Sequence, residues 1–186
     1  MSTSGVIRCS WANSDEMMAN YHDLEWGNPV RESQSLWETL QLECFQAGLS
    51  WSIVLKRRDA FRNSFKGFDP NIVSKFGSKE IEEMLLDNRI IRSRSKIEAV
   101  IGNAKAYLEM KSSGEDFSSF AWSFVDGAPI VNVSGEMYAK TALSETISAE
   151  LKKRGFKFVG PTITYAWMQA VGLVDDHDPG CFRRQS

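Results

Sequence analysis

Apolar residues recur along most of this chain at the three- and four-residue spacing that places them on one face of a helix. The clearest case is the stretch 97–112, where they keep a 3.6-residue period throughout. Weaker versions of the pattern predict helices over 15–22, 35–48, 51–64, 70–76, 78–86, 117–125, 141–154 and 161–172. Only residues 130–133 suit a short strand. The pattern therefore predicts a nearly all-α protein.

Polar residues and glycines mark where the predicted helices begin and end. Ser35, with Glu38 three residues later, forms a capping-box sequence at the start of the 35–48 helix. Gly48 is the expected end of that helix because glycine readily adopts positive φ. Asp69 and Pro70 predict a cap followed by proline at the first helical position. The other predicted caps are polar residues just before a helical run: Asn13 or Ser14, and Ser78.

Length and composition are those of an ordinary globular domain. With 186 residues, 42% of them hydrophobic, the chain should form a single domain over 1–186. No apolar run is long enough to span a bilayer, and the first residues lack the apolar stretch of a signal peptide. We therefore expect a cytoplasmic monomer with no membrane partner.

The charge is unevenly distributed, although the net charge is only −2. That net charge argues against general polyanion binding, but basic residues cluster at 56–58, 89–96 and 152–157. Each cluster alone is typical of a solvated helix face. If folding brought the clusters to one face, they would form a phosphate-binding stripe on an acidic protein.

One carboxylate, Glu43, lies among apolar neighbours inside the predicted 35–48 helix. Leu42 and Phe45 flank it, and Trp51 follows the glycine corner at Gly48. A buried carboxylate is costly unless a cation or several hydrogen-bond donors meet it. Taken alone, the stretch favours a partly exposed glutamate on a helix edge.

The chain has two histidines, and each has a cysteine in its neighbourhood of the sequence: Cys9 with His22, and Cys181 with His177. Two nitrogen and two sulfur ligands suit a tetrahedral structural zinc. The spacing matches no standard zinc finger, so scattered polar residues and a small buried thiol are the alternative. If zinc binds, four protein ligands leave no open position, and the ion would fasten the two chain ends together.

Residues 85–97 are predicted to form two helices joined by a tight basic hairpin. Backbone N–H groups in such a hairpin, with the N-terminus of the second helix, can bind an anion. The flanking arginines suit a phosphate backbone. An ordinary corner between two helices explains the stretch equally well.

Five motifs together resemble a known family. They are Cys-x-Trp at 9–11, Tyr-His-Asp-x-Glu-Trp-Gly at 21–27, Leu-Glu-x-x-Gln-Ala-Gly-Leu-Ser-Trp at 42–51, Ile-Ile-Arg-x-Arg-x-Lys-Ile at 90–97 and Lys-Lys-Arg-Gly-Phe-Lys-Phe-Val-Gly at 152–160. This set resembles the constitutive, type I 3-methyladenine DNA glycosylases of the helix-hairpin-helix superfamily. The similarity runs from Cys9 to Cys181, nearly the whole chain.

The resemblance implies an all-α, bilobal fold with a base pocket between the lobes and a helix-hairpin-helix segment at about 80–112. It implies one structural Zn²⁺ that ties the two termini together. The implied ligands are Cys9, His22, His177 and Cys181. The implied partner is double-stranded DNA that contains alkylated adenine.

The resemblance also implies roles for individual residues. Glu43 would be the catalytic residue, through a hydrogen bond to the edge of the base. The implied substrate-binding residues, which surround the base with Glu43, are Trp11, Met18, Tyr21 and Trp51. The implied DNA-binding residues are Gln46, Gly48, Leu49, Arg92, Arg94 and Lys96.

Two positions depart from the family pattern. Met18 stands where relatives often have a tyrosine; methionine keeps an apolar, polarisable contact but has no ring or hydroxyl. Arg89 stands where the hairpin usually has a glycine, so positive φ is expected there, which is unfavourable for arginine.

The activity implied is base-excision repair: the enzyme flips out 3-methyladenine and hydrolyses its N-glycosidic bond, which leaves an abasic site. N3-methylation makes the base cationic, so the bond is already primed to break and no strong acid is needed. Aromatic faces and a carboxylate suit such a cation. The superfamily's usual catalytic aspartate has no counterpart in this family; Asp116 lies in that region without a supporting motif.

Two other functions are compatible with parts of the sequence. A DNA-damage binding module could keep the pocket without cleaving the bond, and Met18 and Arg89 favour that alternative. A zinc hydrolase would need an open metal position, which four candidate protein ligands do not leave.

Overall fold

The computed structural model of the protein describes residues 5–185, which fold mainly into α-helices. One turn of 3₁₀ helix, Ser10–Asn13, precedes the first α-helix, and another, Lys66–Phe68, lies between α4 and α5. The helices are α1 (Glu16–Leu24), α2 (Ser33–Gln46), α3 (Trp51–Lys56), α4 (Arg58–Ser64), α5 (Pro70–Val73), α6 (Ser78–Leu86), α7 (Arg94–Ser112), α8 (Phe117–Ser123), α9 (Ala142–Lys153) and α10 (Pro161–Ala170). The strands are β1 (Ile130–Val131) and β2 (Val174–Asp175).

Several predicted helix starts are wrong by a few residues. The Glu32 side chain caps α2, because it accepts from the backbone N–H groups of Gln34 at 2.9 Å and Ser35 at 2.5 Å. The predicted capping box at Ser35 is therefore wrong. Asp15, and not Asn13 or Ser14, caps α1 through a 2.8 Å bond to the N–H of Met18. Gly77 is the cap of α6, so Ser78 is its first helical residue.

The predicted helix over 51–64 is divided into α3 and α4. Arg57, with φ −105° and ψ 1°, separates them. Asp69 caps α5 as predicted, by accepting from the N–H of Asn71. The short strand expected near Ile130 is confirmed, and it pairs in parallel with β2, so that Ile130 lies opposite Val174. The sequence did not predict β2, whose two residues are too few to show a pattern.

The buried apolar residues form two clusters of unequal size. The larger surrounds α2, α7 and α10 and contains the fully buried Trp37 and Trp167. The smaller cluster joins the N-terminal segment, α1 and the C-terminal tail; its members are Cys9, Met18, Tyr21, Trp26, Leu55, Ala170 and Cys181. Trp51 packs against both clusters. None of the helices between residues 5 and 185 has the length and apolar composition needed to span a membrane.

Two glycines allow the turn after α1 to lie directly against the C-terminal part of the chain. Gly172 has φ +71°, and a Cβ there would lie 2.6 Å from the carbonyl carbon of Asn28. A Cβ on Gly27, which has φ +79°, would lie 2.6 Å from Cε1 of His177. Neither space admits a methyl group. The turn after α1 therefore lies close to residues 172–177 because these two positions lack side chains.

Candidate functional site

A cavity of about 450 Å³ lies where α1, α2, α3 and α10 meet the segment after β2. All five residues that the sequence assigned to substrate binding line it: Trp11, Met18, Tyr21, Glu43 and Trp51. Gln46, assigned to DNA binding, also lines the cavity. The structure thus gathers residues from four separate parts of the sequence around one space.

Glu43 reaches the cavity from the last turns of α2. Its side chain is buried, with 3% exposure, and its Oε2 atom has no hydrogen-bond partner among the described residues. Burial raises the pKa of Glu43 to about 8. The sequence alone favoured a partly exposed glutamate, and that interpretation is wrong. An unpaired buried carboxyl that faces a cavity is able to accept a hydrogen bond, and to pair with a cation, from a molecule in the cavity.

Aromatic rings form the walls beside Glu43. The rings of Tyr21 and Trp51 lie 5.4 Å apart at 40°, and Trp11 lies 6.3 Å from Tyr21 and 5.0 Å from Trp26. Burial, and then the nearby Glu43, raise the pKa of Tyr21 well above its ordinary value. Met18 is buried at the same wall. Flat aromatic faces around a carboxyl group suit a planar ring that carries positive charge.

The corner between α2 and α3 lies at one side of the cavity. Gly48, two residues after the end of α2 at Gln46, has φ +80°, a conformation that glycine adopts readily and that stops the helix from continuing. Leu49 is 38% exposed at the tip of the corner. Neither Gly48 nor Leu49 is among the residues that line the cavity, but Gln46 and Ser50 on either side of them are.

Lys96, predicted from the resemblance to bind DNA, makes contacts within the protein. Its ammonium group donates to the carbonyl of Phe45 at 2.9 Å and to that of Ala47 at 2.8 Å. These are carbonyls at the C-terminus of α2, where a cation also meets the negative end of the helix dipole. Lys96 therefore holds the end of the helix that carries Glu43.

The other basic residues of the hairpin between α6 and α7 are mostly paired. The Arg94 guanidinium contacts Glu82 and lies 3.7 Å from Glu98. Arg89 pairs with Asp87 at 2.9 Å, which lowers the pKa of that aspartate to about 2. Arg89 is not among the residues with positive φ, so the strain expected there is absent. Arg92 is exposed and has no ion pair among the described residues.

The two remaining basic clusters also contain internal ion pairs. Arg58 forms a two-pronged pair with Glu25, and Arg154 forms one with Glu115. Lys56 stays exposed, 3.9 Å from Asp15. The predicted phosphate-binding stripe is therefore reduced to a few exposed side chains. Asp116 has a structural role: it caps α8 by accepting from the N–H of Ser119.

A cluster of possible metal ligands lies beside the cavity, where the chain ends meet. The donor atoms of Cys9, His22 and Cys181 all lie within 4.8 Å of one another and are buried. His177 is not part of this group, but its ring lies 5.3 Å from that of His22. Its Nε2 atom is buried and has no hydrogen-bond partner among the described residues.

In both histidines the Nδ1 atom lies within hydrogen-bond distance of an aspartate, which leaves Nε2 for a metal. Nδ1 of His22 lies 2.8 Å from Asp23, and Nδ1 of His177 lies 2.7 Å from Asp175. Carboxylates in this position orient histidines that bind a metal through the other nitrogen. The residues present therefore fit a zinc ion with two thiolate and two imidazole ligands.

The sequence missed one wall of the cavity. The residues on that wall come from the loop after β1, from α10 and from the segment after β2: Met137, Tyr138, Ala166, Gln169, Asp176 and Asp178. Trp26 was missed as well, although it lies in the motif at 21–27. Gln169 follows Ala166 by three residues on α10, a spacing that places both on one face. No local pattern marks the loop at 132–140 as part of a site.

Comparisons with known proteins identify the family. The sequence model of methyladenine glycosylases matches residues 11–184. DNA-3-methyladenine glycosylase 1 of Escherichia coli (strain K12) is 49% identical over 177 residues, or 94% of this chain and 95% of that protein. A crystal structure of 3-methyladenine DNA glycosylase I has a TM-score of 0.94 at 46% identity and covers 96% of this chain and 100% of its own.

The Staphylococcus aureus 3-methyladenine DNA glycosylase I, solved to explain its recognition of 3-methyladenine, has a TM-score of 0.91 at 32% identity. That match covers 96% of this chain and 97% of the Staphylococcus aureus chain. This chain belongs to the methyladenine glycosylase family.

Proposed function

We propose that this protein is a monofunctional DNA glycosylase that releases 3-methyladenine from double-stranded DNA. The observation that carries the proposal is the cavity, in which a buried, unpaired Glu43 faces aromatic rings from α1 and α3. The relatives named above act on, or bind, the same base. A pocket of this kind can hold a flipped nucleotide away from the base stack.

The reaction needs little acid catalysis because the methylated base is already a cation. Water adds to C1′ of the sugar, the bond from C1′ to N9 breaks, and the bonding electrons neutralise the departing 3-methyladenine. The products are the neutral base, an abasic site and one proton. Glu43 would accept a hydrogen bond from the exocyclic amine and would balance the positive charge of the ring. Tyr21 and Trp51 would stack on the ring.

The direct test is to incubate the protein with methylated duplex DNA and to detect free 3-methyladenine by chromatography. Release of the base with a matching number of abasic sites supports the proposal. A protein that binds the methylated duplex tightly but releases no base would instead be a damage-binding module with the same pocket. Arg89 does not have positive φ, so the backbone strain that would have favoured the binding module is absent.

We propose that one structural Zn²⁺ is held by Cys9, His22, His177 and Cys181. Four protein ligands leave no position for a substrate, which argues against a zinc hydrolase. Metal binding and folding are coupled in such sites. The Cys181→Ala variant should therefore have both a lower melting temperature and a lower zinc content. Cys44→Ala is the matched control, because Cys44 is buried against the carbonyl of Phe158, far along the chain from these ligands. Protein that is purified without chelator and contains no zinc would contradict the site.

We further propose that DNA lies across the corner at Gly48 and Leu49 and along the start of α7. The backbone N–H groups at the start of α7 and the exposed Arg92 would contact phosphates, while Leu49 and Gln46 would face the displaced base pair. The protein would act as a monomer, in the cytoplasm, as the sequence predicts.

A further inference from the structure

The charged groups that line the cavity are all acidic. Among the described residues, Glu43, Asp176 and Asp178 line it, and no lysine, arginine or histidine does. None of the three carboxyl groups forms an ion pair within residues 5–185. The cavity therefore contains acidic side chains without ionic partners in the described part of the chain, beyond the single glutamate that the sequence pointed to.

Asp176 differs from Glu43 in how its oxygen atoms are satisfied. Its Oδ2 accepts from the hydroxyl of Tyr165 at 2.9 Å and from the amide of Gln169 at 2.6 Å. Its Oδ1 accepts from the amide of Asn132 at 2.6 Å. All three partners are neutral donors, and an ionised carboxylate is the form that only accepts. The Arg184 guanidinium donates to the backbone carbonyls of Asn132 and His177 beside this network, but it forms no ion pair with Asp176. The surroundings thus hold the Asp176 carboxylate in place without an ionic partner among the residues that the structure describes.

Asp178 is a weaker candidate for the same role. Its carboxylate accepts from the backbone N–H of Ser10, and it lies between His177 and Cys181, beside the proposed zinc ligands. Asp176 instead lines the cavity next to α10, whose Tyr165 and Gln169 side chains donate to its carboxylate.

We propose that Asp176 is a specificity-determining residue, a second carboxyl group of the same cavity that favours a positively charged base over a neutral one. This inference rests on the proposed function. Glu43 would read the edge of the base, whereas Asp176 would act on the charge of the ring and on the charge that passes to the sugar as the bond breaks. Such long-range attraction is strong inside a cavity from which water is excluded.

The test uses two ligands of nearly the same shape. One is 3,9-dimethyladeninium, whose positive charge is permanent and whose N9 methyl group replaces the sugar. The other is 3-methyladenine under mildly alkaline conditions, where it is neutral. Binding of both is followed by tryptophan fluorescence, since Trp11 and Trp51 line the cavity. The quantity compared is the ratio of the two dissociation constants.

Asp176→Asn keeps an acceptor for Tyr165 and Gln169 but removes the charge. It should lower the preference for the cation by about tenfold, with the affinity for the neutral base little changed. The matched control is Asn132→Ala, which removes the hydrogen bond to Oδ1 and leaves the charge. Asn132→Ala should keep the preference even if the loop after β1 becomes less ordered. Circular dichroism and zinc content check that both variants fold.

An unchanged ratio of dissociation constants in Asp176→Asn would overturn the inference. An equal loss of affinity for both ligands would also overturn it, as would a change of the ratio in Asn132→Ala as large as that in Asp176→Asn. Release of 3-methyladenine by the parent protein is measured separately, so that a failure of this inference can be distinguished from a failure of the proposed function. An active parent with an unchanged ratio in Asp176→Asn overturns only the role of Asp176. A parent that releases no 3-methyladenine overturns the proposed function itself.

Discussion

The cavity and the hairpin between α6 and α7 both contain several ionisable side chains, but, within residues 5–185, those of the cavity have no ionic partners and most of those of the hairpin do. In the cavity, Glu43 and Asp176 have no ionic partner among the described residues. At the hairpin, Arg89 and Arg94 are paired with acidic neighbours, and Lys96 is bound to backbone carbonyls. Charge left uncompensated in a low-dielectric space is costly and marks a binding site, whereas paired surface charge contributes little. Under the proposed function, the cavity would provide the selectivity, and the hairpin would position the DNA through its few unpaired groups.

The largest effect is expected from Glu43→Gln, which keeps the shape of the side chain and one acceptor but removes the charge. Loss of a charged partner to a buried cation costs about 2–5 kcal/mol, or roughly 30- to 3,000-fold. Single-turnover excision from methylated duplex should slow by that factor, with zinc content and binding to undamaged DNA retained. Glu38→Gln is the control, because Glu38 lies on the same helix but outside the cavity, paired with Arg62. Equal rates for the parent and Glu43→Gln would assign the selectivity to stacking alone.

The next effect is a pH dependence that depends on Glu43. Because burial raises its pKa from 4.5 to about 8, this group favours folding most at acidic pH and loses that contribution as the pH rises through about 8. A cation that needs the ionised form should bind more tightly over the same range, by up to about tenfold per pH unit. The affinity for 3,9-dimethyladeninium from acidic to alkaline pH measures this. The Glu43→Gln variant should give a flat profile, and a flat profile for the parent would contradict the assignment.

Lys96→Met should reduce stability more than DNA affinity. It removes two charge-assisted hydrogen bonds at the end of α2, an expected loss of about 1–3 kcal/mol in the free energy of unfolding. Urea denaturation gives that value, and the dependence of DNA affinity on salt concentration should stay the same. A shallower salt dependence with unchanged stability would restore Lys96 as a phosphate contact.

The smallest expected effect is that of Arg92→Gln on DNA binding. Arg92 is the arginine of the hairpin without an ion pair among the described residues, so its loss should reduce the slope of log affinity against log salt by about one unit. Arg94→Gln should have less effect, because Arg94 has to leave Glu82 before it can contact a phosphate. Equal slopes for the two variants would show that the internal pair of Arg94 does not restrain it.

Helices and binding residues of this protein were predictable to different extents from the sequence. The apolar period that continues along α7, and the Asp69–Pro70 pair at the start of α5, were sufficient to place those two helices, because both signals are local. The start of α2 was misplaced because Glu32 is an unusual cap, and the division at Arg57 has no sequence signal. Motif resemblance located one side of the cavity.

The other side of the cavity depends on contacts that are distant in the sequence. Asp176 faces the cavity only because β2 pairs with β1 and because Asn132, Tyr165 and Gln169 converge on its carboxylate. No period or spacing encodes that convergence. The sequence did not predict the hydrogen bonds of Lys96 for the same reason, since its partners lie about fifty residues earlier in the chain.

The bond from Lys96 to the end of α2 has a geometric consequence for the DNA. The N-terminus of α7 and the helix that carries Glu43 are joined by one side chain, so the span from a phosphate held at α7 to the carboxyl group is set by the protein. A strand that is gripped at α7 has to stretch its own backbone to bring a nucleotide across this span. A weakly stacked, damaged nucleotide makes that movement at lower cost than an intact one. The fixed distance between the two sites would then favour damaged nucleotides, because they leave the base stack and enter the cavity more easily than intact ones.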